Sequence, residues 1–295
     1  MSISKWLDEN TADLSGKLVA LTGSTDGIGN NLCRYLLSLG AELVLIDRNE
    51  KKQAALVKEL KAEFTEAKVR CITLDLESTT DAIKVSCELD RMNIDVFIHN
   101  AGAYSIPRHK CECGYDNVFV INFLSPYCMI RELIGGLDKR GGRVIVVGSI
   151  AHNYSKTDAG DIDFSTRSRA SLVYGNAKRY LMFSLYPLFD GRKATLAVTH
   201  PGITLTGITA HYPRLVFALI KHPMRVIFMS PRKAALSIIA GLFDTTDENE
   251  WIGPKFFNIW GYPKKKRLKT CTQDEAKMIK ERAESLYVKI SSSIT

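Results

Sequence analysis

No run of this 295-residue chain reaches the roughly 18 consecutive apolar residues needed to span a bilayer as a helix. The nearest, PRLVFALIKHPMRVIFMSP, is interrupted by Lys221, His222, Pro223 and Arg225. The opening MSISKWLDENTADLSG carries acidic residues and lacks an apolar central segment, which argues against a secretory signal. No internal repeat, low-complexity tract or Gly/Ser/Pro-rich linker divides the chain, so residues 1–295 read as one domain. Metal-ligand pairs are missing too: His109, Cys111 and Cys113 form one H-x-C-x-C group without the second pair that zinc sites show, so no metal is expected. Cysteines number seven, at 33, 71, 87, 111, 113, 128 and 271. An odd, scattered set is no disulfide framework; it suits free thiols in a reducing compartment, and the cytoplasm is the expected location.

What charge excess there is, +8 from 40 Lys+Arg against 32 Asp+Glu, comes largely from KKKRLK, Lys264 to Lys269. No aromatics interleave that run as a nucleic-acid stacking surface requires, so it reads as a solvated turn and no nucleic-acid partner is expected. The composition, 45% hydrophobic and 24% charged, is that of a globular protein with a large core.

Six short runs rich in Val, Ile and Leu punctuate the chain: KLVALTG, AELVLID, KVRCITLDL, IDVFIHNAG, GRVIVVGS and KATLAVTHPG. Each reads as a strand buried on both faces. Helical patterns lie between them at 27–39, 50–66, 77–91, 114–136 and 171–190. That alternation implies right-handed βαβ units and a doubly wound parallel sheet in three α/β/α layers. After the sixth strand the residues 204–230 are apolar and broken by prolines, as a lid over a ligand at the strands' carboxyl ends would be. A helix at 231–243, a short strand near 255–259 and a helix at 272–290 complete the pattern, the last two inside a C-terminal extension, 250–295.

TGSTDGIG, spanning Thr22 to Gly29, follows the first strand and opens the first helix. Gly23 permits a tight turn, while Gly27 and Gly29 let backbone approach a pyrophosphate at the helix N-terminus. Ser24, Thr25, Asp26 and Ile28 complete this loop. Asp47 ends the second strand, 18 residues beyond Gly29. A carboxylate there accepts hydrogen bonds from an adenine-ribose hydroxyl and repels a 2′-phosphate. Arg48 follows it, and a guanidinium could instead pair with that phosphate. Asp47 argues for NAD and Arg48 for NADP, with the balance toward NAD.

These motifs resemble, in order, those of the short-chain dehydrogenase/reductase family in its single-domain, Rossmann-type form, over roughly residues 15–245. TGSTDGIG is similar to the family's cofactor loop, Asp75 and Leu76 to its adenine-holding segment, and Asn100, Ala101 and Gly102 to its N-A-G motif. Asn122, Ser149, Tyr174 and Lys178 stand where the family has its catalytic residues. Pro201, Gly202, Ile203 and Thr206 match the P-G-x-x-x-T segment that contacts nicotinamide. CGYDNVFVINFLSPY and SIAHN most resemble retinol-dehydrogenase-like and WW-domain oxidoreductase members. One departure is Ala177, where many members carry Ser.

The resemblance implies an NAD(P)-dependent oxidoreductase interconverting an alcohol with a ketone or aldehyde. Tyr174 would exchange the proton, since a lysine four residues on shares its helix face and favours the phenolate. Ser149 would orient the reacting oxygen, Lys178 would also hold the nicotinamide ribose, and Asn122 would relay protons. The apolar lid suggests a lipophilic substrate such as a retinoid, steroid or long-chain carbonyl. Peripheral membrane contact through 212–229 and the basic run would suit such a substrate. Relatives associate through the helices bearing the Asn and Tyr, so a homodimer or homotetramer follows by resemblance. His152, Asn153 and Tyr104 are candidates either for the substrate pocket or for plain packing. A nucleotide-binding redox sensor or scaffold without turnover is the competing reading, though it leaves the full catalytic set unexplained.

Overall fold

A computed structural model describes residues 1–204, 229–268 and 270–293. The six anticipated strands all form: β1 (Leu18–Thr22), β2 (Glu42–Asp47), β3 (Val69–Thr73), β4 (Val96–His99), β5 (Arg143–Val147) and β6 (Thr195–Thr199). They are parallel and ordered β3-β2-β1-β4-β5-β6, continued by β7 (Glu250–Phe256) and the antiparallel β8 (Trp260–Arg267). Helices cover both faces, as parallel crossovers require. Packed on one face are α1 (Ile3–Asn10), α2 (Gly27–Ser38), α3 (Glu50–Glu63) and α7 (Pro231–Ala240). On the other lie α4 (Thr79–Arg91), α5 (Asn117–Arg140), α6 (Ala170–Leu185) and α8 (Gln273–Ser291).

Three expectations change. β3 is an edge strand rather than one buried on both faces, so Arg70, Cys71 and Thr73 face solvent. The short strand expected near 255–259 is a hairpin turn with a strand on either side. KKKRLK is not a turn: Lys264 to Arg267 belong to β8, the opposite edge of the sheet. Lysines on an edge strand hinder pairing with another chain, which gives this run a structural role.

α5 is long and apolar enough to cross a membrane by length and composition, but 83% of its apolar window is buried among the neighbouring elements. It is the core helix of this fold. Within it Val120–Leu124 form a π-turn, where Ser125 N–H reaches back to the Val120 carbonyl. Pro126 follows immediately. Proline donates no hydrogen bond and crowds the carbonyl four residues earlier, so the widened turn relieves the helix where an α-turn would clash.

α8 explains the C-terminal extension. Its Glu284 pairs with Arg131 of α5 at 2.6 Å and accepts from the Tyr127 hydroxyl at 3.1 Å. Its Glu275 pairs with Arg179 of α6. The helices expected from the resemblance to mediate self-association are thus the ones that α8 covers within the same chain.

Candidate active site

The carboxyl ends of β1, β2, β4, β5 and β6 meet at one edge of the sheet, and the matched motifs lie there. Gly23 has φ +72°, and a Cβ on it would come within 2.8 Å of the Ala101 Cα. A Cβ on Gly29 would lie 1.9 Å from the Gly23 carbonyl oxygen, so the loop closes only with glycine at both positions. The N-A-G segment is bolted to this loop. Asn100 Nδ2 donates to the Gly23 carbonyl at 2.7 Å, and Thr22 Oγ1 accepts from the backbone of Asn100 (3.2 Å) and Ala101 (3.1 Å). Thr22 was missed from sequence; its place at the strand end, just before the first glycine, was the available signal.

Asp26 is the N-cap of α2 but caps nothing with its side chain, because its carboxylate pairs with Lys52 at 2.7 Å. The helix's first-turn N–H groups, together with its dipole, therefore suit an anion such as a dinucleotide's pyrophosphate. Thr25 and Ile28 are partly exposed beside it. Asp47 is buried, and its carboxylate accepts from Ser24 N–H at 2.9 Å, from the Ser24 hydroxyl, and from Thr25 Oγ1 at 3.4 Å. Burial raises its pKa while those hydrogen bonds pull the other way. Arg48 is exposed. Asp75 is exposed and accepts from Glu77 N–H at 3.0 Å, and the Leu76 carbonyl accepts from Ser125 Oγ at 2.6 Å.

Tyr174 and Lys178 stand one turn apart on α6. Tyr174 is half-buried, its ring edge-on to Tyr104 with centroids 5.3 Å apart, which puts Tyr104 at the site. Burial pushes its hydroxyl up to about 12, and a hydrogen bond with the Ser149 side chain opposes that. Ser149 thereby joins Tyr174 in one polar pair, with its Oγ also accepting from Ala151 N–H at 3.2 Å. Lys178 is 1% exposed, donates to the Val147 carbonyl at 2.8 Å and lies 5.8 Å from the Tyr174 ring centroid. Burial lowers it to about 7.

Asn122, in the π-turn, donates to the Ala103 and Val118 carbonyls (both 2.8 Å) and accepts from Ala103 N–H (3.2 Å). Its side chain therefore ties the loop after β4 to α5. Gly102 separates it from the lysine: a Cβ there would lie 2.8 Å from Asn122 Oδ1 and 3.7 Å from Lys178 Nζ. At the end of β6, Pro201 is buried and Gly202 has φ +81°. The Ile203 carbonyl accepts from Met229 N–H at 3.0 Å. Thr206 and nearly all of the 204–230 lid lie outside the described residues.

His152 is not a pocket residue. It is fully buried, with Nδ1 bonded to the Ser149 carbonyl and Nε2 to Thr270 Oγ1 at 2.9 Å, and burial lowers it to about 4. Asn153 is exposed beside it. Just before α4, Glu77 joins His109 and Cys111, with ligand atoms within 4.8 Å of one another, a grouping the H-x-C-x-C spacing could not reveal. His109 Nε2 bonds Glu77 Oε2 at 2.8 Å, while burial holds the Cys111 thiol up at about 12.

The human polyprenol dehydrogenase is 26% identical over 247 residues, covering 80% of this chain and 70% of that protein. The mouse retinol dehydrogenase 14 is 27% identical over 244 residues, covering 77% and 73% respectively. Among solved structures, an uncharacterized protein from Mycobacterium paratuberculosis superposes with TM-score 0.71 at 19% identity, over 95% of this chain and 96% of that one. Residues 17–159 match the short chain dehydrogenase family. That match runs from the start of β1 past Ser149, and Tyr174 and Lys178 complete the same site from α6: the chain belongs to the short-chain dehydrogenase/reductase family.

Proposed function

We propose that this NAD(P)-dependent oxidoreductase reduces the carbonyl of a lipophilic substrate, an isoprenoid or retinoid aldehyde or ketone, with Tyr174 as proton donor. The observation that carries the reading is the Ser149–Tyr174–Lys178 cluster. A bound nicotinamide nucleotide supplies the hydride. Hydride addition to the carbonyl carbon would push the C=O π electrons onto the oxygen, which must then be protonated, and a tyrosine held near 12 is protonated at neutral pH and able to give that proton. Ser149 holds the same oxygen by hydrogen bonding. Lys178, buried with its ammonium on the Val147 carbonyl, is lowered by that burial to about 7, from which it can resupply the proton.

The cofactor side favours NADP(H). Ser24 and Thr25 occupy the Asp47 carboxylate, whereas Arg48 is exposed beside it, and a guanidinium suits a 2′-phosphate. This reverses the balance toward NAD that Asp47 alone suggests. Support for the substrate class comes from the polyprenol and retinol dehydrogenases the chain resembles and from the apolar sequence between 205 and 228. All seven cysteines are free thiols, which suits the cytoplasm.

Turnover of polyprenal, retinal and short-chain aldehydes with NADPH, followed by loss of cofactor absorbance, tests the reading. Faster turnover of the long apolar substrates is expected. Cofactor binding without turnover of any carbonyl or alcohol would favour the sensor reading instead.

A further inference from the structure

The tip of the β7–β8 hairpin is built against the usual rules for a tight turn. Phe256 to Ile259 form a reverse turn closed by Ile259 N–H on the Phe256 carbonyl at 2.9 Å. Its two central residues, Phe257 and Asn258, have φ of 51° and 59°. Asn suits that left-handed conformation, and Gly usually accompanies it, whereas an aromatic residue there is disfavoured. Phe257 is nevertheless in place, and it is 82% exposed. Lys266 locks the turn from inside, donating to the Pro254 carbonyl at 2.6 Å and to Asn258 Oδ1 at 2.8 Å.

The neighbours of Phe257 share its exposure. Among the described residues six large hydrophobic side chains are exposed, and three of them, Phe256, Phe257 and Trp260, stand together at this hairpin tip. Phe256 and Trp260 are cross-strand partners, and the Met1 carbonyl accepts from the Tyr262 hydroxyl on β8. Cations rim the patch. Lys255 lies over the Phe256 ring at 5.4 Å, Lys233 over the Tyr262 ring at 4.8 Å, and Lys264 is exposed two residues further along β8.

We propose that this hairpin tip is a docking surface for an anionic lipid bilayer, with the aromatic side chains entering the headgroup region and the lysines meeting lipid charge. Aromatic residues favour that interface, and each nearby cation adds to attraction for anionic lipid. A second copy of the chain fits less well, because a two-fold contact at this patch would set its lysines against their own images. The docking surface also adjoins the active site. A Cβ on Gly202 would lie 2.8 Å from the Ile259 carbonyl oxygen, so the turn after β6 rests on the hairpin. Thr204 and Met229, which bound the 205–228 segment, are bridged beside it. Docking here brings the substrate end of the site to the lipid surface. The inference concerns a surface, and it stands apart from the substrate class proposed above.

The test is co-sedimentation of the whole protein with vesicles of phosphatidylcholine alone and of phosphatidylcholine with phosphatidylglycerol. Binding is expected to the second and to be at least about ten-fold weaker to the first. Phe257→Asn, which relieves the turn, should weaken vesicle binding about ten-fold with the thermal midpoint unchanged or raised. Its NADPH affinity, read by fluorescence, should match the wild type. The paired variant Lys255→Glu, Lys264→Glu should remove the preference for anionic vesicles. The proposal is overturned if the wild type stays in the supernatant with both vesicles, or if Phe257→Asn binds them as tightly as the wild type. A monomer–dimer equilibrium abolished by Phe257→Asn, without vesicle binding, would assign the patch to a second copy. Vesicle binding requires no turnover, so its failure and that of the substrate reading are separately visible.

Discussion

Ser24 donates to the Asp47 carboxylate from both its backbone N–H, at 2.9 Å, and its hydroxyl. The acidic residue is therefore part of the wall of the glycine loop, and Arg48 is the exposed group at that corner. Arg48→Ala should weaken NADPH binding by about ten-fold, which is about 1.4 kcal/mol, and leave NADH binding within about two-fold. Fluorescence titration with each nucleotide reads both. A loss as large for NADH would place Arg48 against the part common to both nucleotides rather than on the 2′-phosphate.

Tyr174→Phe removes one hydroxyl from a ring already held against Tyr104. Turnover should fall by about 10²–10⁴ while nucleotide affinity stays within about two-fold, because proton transfer is lost and packing is kept. Unchanged turnover would remove Tyr174 from the chemistry.

Lys178 has a folded pKa of about 7 against an ordinary 10.5 because burial opposes its charge. At neutral pH the unfolded chain holds that proton more tightly, so the lysine costs the fold stability below about pH 10. Lys178→Met should abolish turnover and leave the thermal midpoint unchanged or higher, by up to about 2 kcal/mol at the midpoint. A marked fall in the midpoint would mean that the bond to the Val147 carbonyl outweighs the burial of the charge.

Arg179 is 2% exposed and relies on Glu275 of α8. Glu275→Ala strands a buried guanidinium and should cost about 3–5 kcal/mol, with α8 amides losing hydrogen-exchange protection first. Burial acts to raise the Glu275 pKa, but hydrogen bonds from Arg179 and Thr157 overcome it and bring the carboxyl to about 2, below its ordinary 4.5. A depressed carboxyl contributes stability above its unfolded value, so that contribution fades as pH falls from about 4.5 toward about 2. Buried His152 and His200, lowered to about 4 and about 3 from 6.5, begin the loss earlier, below about pH 6.5. Acid denaturation should therefore start near pH 6 in the wild type, and Glu275→Ala should flatten its lower limb.

The parallel sheet was legible because each βα unit announces itself locally, with apolar runs of strand length followed by helical periodicity. The glycine loop and the placing of Tyr174 and Lys178 one turn apart were legible for the same reason: each lies within a single local motif. What depended on distant chain was not. Nothing in the sequence pairs Ser24 with Asp47 or Glu77 with His109, and His152 looks the same whether it lines a pocket or bonds Thr270. KKKRLK read as a turn because charge density is visible in sequence and edge position is not. The 114–136 periodicity looked like an unbroken helix even though Pro126 was in view, since a single widened turn barely disturbs an apolar stripe.

That widened turn has a consequence for how the protein can change. A π-turn holds one residue more than the α-turn it replaces, and one residue advances an α-helix by about 100°, so regular α winding of the same residues would turn Asn122 relative to the rest of α5. The loop after β4 would lose its hold at Ala103, and the remainder of the helix would meet α4 and α8 through a different face. The irregularity keeps count between the nucleotide loop on one side and the C-terminal helix on the other.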